Sequence, residues 1–219
     1  MSTGLLTDLP ETIPIFPLSG VVLMPAAQLP LNIFEPRYLE LVADALAGDR
    51  FIGIIQPQAV HPDPVPPDAP ILAVGCAGMI TSNSEEGKGP LIIILRGICR
   101  FRIVQEIDVD TAYRQATVSY EPFRADLADL GAGTVPDRGR LLTALTGYLE
   151  RIGAHTHVEG IDTVDDLTLV TSLVMSLPLD RREKQAILEA KDLARQGALL
   201  TGFLEMTATA GGGYDGSLQ

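Results

Sequence analysis

Gln28-Leu-Pro-Leu-Asn-Ile-Phe-Glu-Pro-Arg-Tyr-Leu-Glu-Leu-Val-Ala-Asp-Ala-Leu-Ala-Gly48 changes its structural character in the middle. Gln28 to Phe34 reads as a strand interrupted by a proline, which suits an edge or a bend better than a central ladder. Pro36 then sits where a first helical turn tolerates it. Tyr38, Leu41, Val42, Ala45 and Leu46 follow at helical spacing, and Gly48 is a natural stop. Upstream, Ile13 to Gly20 is a second proline-broken strand of the same edge-like kind. Downstream, Phe51 to Gln56 returns to strand, and the chain then enters fourteen residues, 57–70, with six prolines. That segment is a surface loop, locally extended and without regular pairing.

Two longer strands come next, Ile71 to Thr81 and Pro90 to Ile107, joined by the polar, glycine-bearing run Ser82 to Gly89 as in a hairpin. In the second of them Cys99, Phe101 and Ile103 alternate with Arg100 and Arg102, which predicts one apolar and one solvated face. Gly97 marks a bulge or a close backbone approach. Ala116, Val118 and Tyr120 alternate in a last strand before Pro122.

From there the period changes. Leu141, Leu142, Leu145, Tyr148, Leu149 and Ile152 repeat at three and four, as in an amphipathic helix. Asp162 or Thr163 is the expected cap of a second helix, with Asp166 completing a capping box and Val164, Leu167, Val170, Val174 and Leu177 as its inner stripe. Pro178 ends it. Asp180 with Glu183 caps a third helix, and Asp192 opens a fourth that carries Leu193, Leu200, Phe203, Leu204 and Met206. Gly211 to Gly213 and the tail beyond read as frayed. Strands first and helices afterwards predict an α+β fold: a β-rich lobe over 12–123, a helical bundle over 124–208, and flexible termini at 1–11 and 209–219.

The 219 residues are 46% hydrophobic, enough for a proper core. No apolar run reaches the roughly 20 residues that span a bilayer, and Met1 to Pro10 lacks a charged and apolar leader, so a cytoplasmic protein is expected. Cys76 and Cys99 lack metal-type spacing and read as buried small hydrophobes. The net charge is −12, with 8 basic and 14 acidic residues in 1–125 and the same numbers in 126–219. An acidic balance in both halves argues against nucleic-acid partners, whose phosphates demand cations.

At the level of motifs, Ile15-Phe-Pro-Leu18, Val22-Leu-Met-Pro25 and Leu29 to Tyr38, with its Phe34-Glu-Pro-Arg-Tyr38 core, resemble the opening signature of the Lon protease N-terminal (substrate-binding) domain family. Ala26 stands where that family usually has glycine. Gly97 to Ile103 and Leu177 to Glu189 resemble two further signatures in the right order, so the likeness covers about residues 12–208. It implies that both lobes form one domain, with a PUA-like pseudo-barrel in front of the bundle. It also implies a polypeptide-binding role toward unfolded or tagged polypeptides, as a substrate-recognition or adaptor protein for a protease or another protein complex. The chain has no GxxxxGK[ST] loop and stops before a peptidase domain could begin, so a stand-alone, non-catalytic form is expected.

Candidate chemistry is sparse. No GxSxG elbow is present, and the three lysines, Lys88 in a turn and Lys184 and Lys191 in a helix, offer no evident serine–lysine dyad. His155-Thr-His157-Val-Glu159 has the alternation of a metal site on a strand but falls between helices, where it reads as a turn with two solvated histidines. No catalytic, cofactor or metal residue is assigned. Phe34, Glu35, Arg37 and Tyr38 are the candidate peptide-binding residues, since charges beside an apolar strand can grip a chain. The alternative makes Glu35 and Arg37 a helix-start brace and puts Phe34 and Tyr38 in the core. Arg96, Arg100 and Arg102 form the densest basic stripe. Without interleaved aromatics it makes a poor RNA platform, and a solvated face or internal ion pairs explain it better. RNA binding and a cryptic hydrolase remain the alternatives to polypeptide binding.

Overall fold

The computed structural model describes residues 9–62, 64–84, 91–127, 133–154 and 161–209. Among the described residues six strands and five α-helices follow in the expected order: β1 (Thr12–Pro17), β2 (Gln28–Ile33), α1 (Pro36–Ala47), β3 (Phe51–Pro57), β4 (Ile71–Asn83), β5 (Leu91–Ile107), β6 (Arg114–Ser119), then α2 (Arg138–Arg151), α3 (Asp166–Ser176), α4 (Arg181–Glu189) and α5 (Leu193–Thr209). The architecture is α+β.

Five strands close on themselves. β1 runs parallel to β3, and antiparallel ladders β3–β4, β4–β5, β5–β6 and β6–β1 complete the ring. Closure removes free edges, the main hazard of an isolated sheet. β2 stands outside this ring, paired through Gln28–Ile33 to the first part of β5, Leu91–Arg96. β6 takes the far end of the same strand, Arg102–Ile107.

The expected edge placement therefore holds for β2 and fails for β1, which lies inside the ring. Its prolines are compatible because Pro14 precedes the residues in register with β3 and Pro17 is the last residue of the strand. The parallel β1–β3 contact is set by residues some 38 positions apart, Ile15 with Gly53, and leaves no local trace.

Phe101 fills the barrel and is fully buried. Gly53 and Gly75 make room for its ring: a Cβ on Gly75 would lie 2.7 Å from the ring edge and 2.5 Å from the Ile54 carbonyl oxygen. α1 starts at Pro36, buries Tyr38, Leu41, Val42 and Ala45, and ends at Gly48. Tyr38 stacks on Phe16 of β1 with ring centres 3.8 Å apart.

Gly97 is both a bulge and a close approach. The β4–β5 register slips between Ala77 and Gly78, and the Ala26 N–H and Ala27 carbonyl bond to the Gly97 backbone at 2.9 Å each. A Cβ there would sit 2.0 Å from the Met24 carbonyl oxygen. Ala26, at the crossing, has φ 65°, a left-handed conformation that glycine adopts freely and alanine does not.

In the helical lobe an aspartate opens every helix: Asp137, Asp165, Asp180 and Asp192 accept from Arg140, Thr168, Arg182 and Arg195 backbone N–H groups. Asp180 and Glu183 form the expected capping box. α3 begins two or three residues later than expected. Asp165 caps it, and Asp166 is drawn away to bond the Val135 N–H and the Arg138 guanidinium. Its buried stripe is accordingly Leu169, Val170, Thr171 and Val174, with Val164 and Leu167 only half-buried. α5 packs against α2, α3 and α4 and buries Leu200 and Leu204, while Met206 is exposed. Lys191 lies in the turn between α4 and α5 and not in a helix, paired with Asp192.

The lobes interlock through buried polar groups. Gln56 of β3 donates to the Arg181 carbonyl and the Gln185 side chain at 3.0 Å each, and Gln185 donates to the Val74 carbonyl at 3.1 Å. Arg100 of β5, read from its stripe as either solvated or internally ion-paired, is 2% exposed and takes the second course. It grips Asp126 through two bonds of 2.7 and 2.8 Å and donates to the Leu188 and Ala190 carbonyls at the end of α4. Its guanidinium also lies 4.6 Å from the centre of the Phe123 ring. An arginine inside a protein needs partners for its whole fork, and two elements distant in sequence supply them.

Candidate functional site

The four candidate binding residues separate into two environments. Glu35 and Arg37 form an ion pair of 2.8 Å, and Arg37 also donates to the Val65 carbonyl at 2.7 Å and lies over the Tyr38 ring. Arg37 thus braces the helix start against the proline-rich loop. Two other arginines pin that loop: Arg114 bonds the Ala69 carbonyl, and Arg181 bonds the Pro57 and Gln58 carbonyls. Tyr38 is 4% exposed, in the core as the brace alternative expected. Phe34 departs from that expectation and stands 62% exposed.

Phe34 has company. Gln28, Pro30 and Asn32 are the exposed residues of β2, and alternation continues their side of the strand toward Phe34. Across the ladder, Pro30 faces Ile94, and Asn32 faces Ile92, itself 46% exposed. The outer face of the β2–β5 pair therefore carries an apolar strip. Single exposed hydrophobes mean little, whereas a contiguous strip marks an interaction surface.

Beside the start of β2 lies a cleft of about 440 Å³ between the lobes. Ala26, Ala27, Gln28, Leu29 and Pro30 form one wall; Thr168, Thr171, Ser172, Met175 and Ser176 of α3 form the other. Among the described residues no charged one lines it. Its hydroxyls are partly engaged: Thr168 donates to Asp165, Thr171 to the Leu167 carbonyl and Ser176 to the Ser172 carbonyl. Those protons point back into the helix, so the hydroxyl oxygens face a guest chiefly as acceptors. The sequence names Phe34 as a candidate but gives no sign of this cleft, because its walls are separated by about 140 positions of chain.

Other chemistry is muted. Among the described residues no group of histidine, cysteine or carboxylate side chains could hold a metal ion. His155–Glu159, Lys88 and the tail beyond 209 lie outside the described residues, as does most of the Ser82–Gly89 turn. Cys76 and Cys99 are free and buried as expected, and burial pushes the Cys99 thiol up to about 12, an unreactive value. With Arg100 withdrawn into the interior, Arg96 and Arg102 are the exposed members of the basic stripe. No helix among the described residues is long and apolar enough to cross a membrane.

A closed β-ring with an external strand, interlocked with a helical bundle across an uncharged cleft, defines an α+β module of the kind found at the N-terminus of Lon proteases. The chain belongs to the family of the ATP-dependent protease La (LON) substrate-binding domain, whose family model matches residues 12–206. The Lon protease of Dictyoglomus thermophilum is 24% identical over 197 residues, covering 90% of this chain and 24% of that protein. Lon protease 2 of Sorangium cellulosum is 28% identical over 192 residues, covering 84% and 23%. The chain spans about a quarter of the length of these curated relatives. Among solved structures, a Lon N-terminal domain protein from Xanthomonas campestris superposes with a TM-score of 0.60 at 26% identity, covering 87% of this chain and 97% of that one. The N-terminal domain of Mycobacterium avium complex Lon protease shares the fold, with a TM-score of 0.60 at 15% identity.

Proposed function

We propose that this chain recognises polypeptides, taking up unfolded or tagged segments for a protease or another protein complex in the cytoplasm, and breaks no covalent bond itself. Family membership supports the substrate-binding part of this reading. The observation that carries it is the uncharged cleft running beside an exposed apolar strip, Phe34, Ile92 and Pro30, on a protein otherwise strongly acidic. Such a surface suits apolar stretches that folded proteins hide. Of the candidate residues, Phe34 supplies contact area, and Glu35, Arg37 and Tyr38 hold it in place. The lobes 12–123 and 124–208 act as one recognition unit, since the cleft needs both.

The test is fluorescence anisotropy with a reduced, carboxymethylated model polypeptide against a charge-matched folded control. Micromolar binding to the unfolded chain is expected, weakened severalfold by Phe34→Ser with unchanged thermal stability. Equal binding to both probes, or none, refutes the reading. Incubation with casein, with and without ATP, is expected to leave it intact.

A further inference from the structure

We propose that the cleft between β2 and α3 takes an extended peptide as an additional strand on the open edge of β2, an inference that rests on the polypeptide-binding reading above and specifies its mode. β2 pairs only with β5, so its other edge presents unpaired backbone groups among the described residues. Pro30, opposite Ile94, fixes which groups those are. Proline has no N–H and fits a ladder only where none is needed. The bonds to β5 therefore run from Leu29, Leu31 and Ile33, and the edge exposes the N–H and carbonyl groups of Gln28 and Asn32 with the carbonyl of Pro30. A row of alternating neutral donors and acceptors is matched by one common chemistry, another polypeptide backbone in extended form.

Charge narrows the occupant further. Phosphodiester chains need cations, and among the described residues none lines the cleft. The α3 wall offers hydroxyl acceptors, and the chain as a whole carries −12, so the complementary segment is uncharged along the cleft and neutral to basic at its ends. Gln28 to Pro30 of β2 line the cleft and the open edge runs on to Ile33, six strand residues or roughly 20 Å at strand rise. Small residues at Ala26 and Ala27 leave room for side chains that alternate inward.

The probe is a labelled peptide of alternating threonine and valine with lysine pairs at its ends. Its binding is expected to fall about tenfold with Asn32→Pro, which removes an outward N–H while leaving the bonds to β5 in place. Because that variant could misfold, the native protein is also tested with the same peptide N-methylated on alternate residues; a similar loss is expected for one methylation parity and little for the other. Hydrogen exchange at the Gln28 and Asn32 amides is expected to slow on binding. Peptide binding that is indifferent to methylation and leaves those amides unprotected overturns the added-strand mode and spares polypeptide recognition. Failure of the native protein to bind both this peptide and the unfolded polypeptide removes both. Loss of self-association in Asn32→Pro, with peptide affinity unchanged, assigns the edge to a second copy and overturns the inference.

Discussion

Replacing Arg100 by methionine isolates the chief polar lock between the lobes. The substitution keeps most of the side-chain stem and removes five donors. Asp126, whose side chain is 8% exposed, is then left as a buried anion with one remaining bond, from the Arg100 backbone N–H at 2.9 Å. The Leu188 and Ala190 carbonyls at the end of α4 lose their cation as well. Breaking a buried pair by removing one partner costs about 3–5 kcal/mol, and each stranded acceptor adds about 1 kcal/mol unless water reaches it. A loss of about 4 kcal/mol is expected, a large share of the stability of a typical domain. Urea unfolding followed by far-UV circular dichroism and by tyrosine fluorescence measures it. Both probes should report one coincident transition in the native chain, because the lobes share this lock. The double variant Arg100→Met, Asp126→Leu should recover at least half the loss, since it removes the orphaned charge. Raising salt from 0.1 to 1 M should change the cost little, because a buried pair is poorly screened. A loss below about 1 kcal/mol, or no recovery in the double variant, refutes the assignment of Arg100 as a buried lock.

Three further outcomes are expected. Ala26→Gly relieves a left-handed alanine and should raise stability by about 0.5–1 kcal/mol, the strain gained less the added freedom of the unfolded chain, as read in urea midpoints. Gly97→Ala forces a methyl group onto the Met24 carbonyl and should cost about 3 kcal/mol or more, with β2 amides losing exchange protection first. Lys184 is buried, and desolvation lowers its affinity for a proton below the ordinary lysine value of 10.5. The folded state then binds fewer protons than the unfolded chain in the window below 10.5, so stability climbs with pH there and is lower by the full penalty near pH 7. Lys184→Met should stabilise the protein at pH 7 by about 1 kcal/mol and flatten that climb, measured as urea midpoints across pH.

What could be foreseen from the chain divides by distance. Asp180 with Glu183, Pro36 before Tyr38, and Gly97 within an apolar run are read correctly because each feature is made by neighbours along the backbone. For Arg100 alternation alone gives the solvent side, and it is the other reading of the basic stripe, an internal ion pair, that holds; its partners, 26 and 90 positions away, leave no local trace. The core alternative fails for Phe34 for the opposite reason: its apolar ring suggests burial, yet it stands exposed just past the end of an external strand. α3 starts late because Asp166, which reads as a capping partner, is claimed by Arg138. The cleft has no local signature at all, being the gap left when α3 comes to rest beside β2.

The ring closes without β2, and this has a thermodynamic consequence. Detaching β2 breaks a single ladder, whereas detaching any of the other five strands opens the barrel. Fraying of the appended strand is therefore decoupled from global unfolding, and its amides can trade protons for deuterons while the interior stays shut. The molecule carries a compliant fringe on a rigid hoop, able to shift its pairing without endangering the whole.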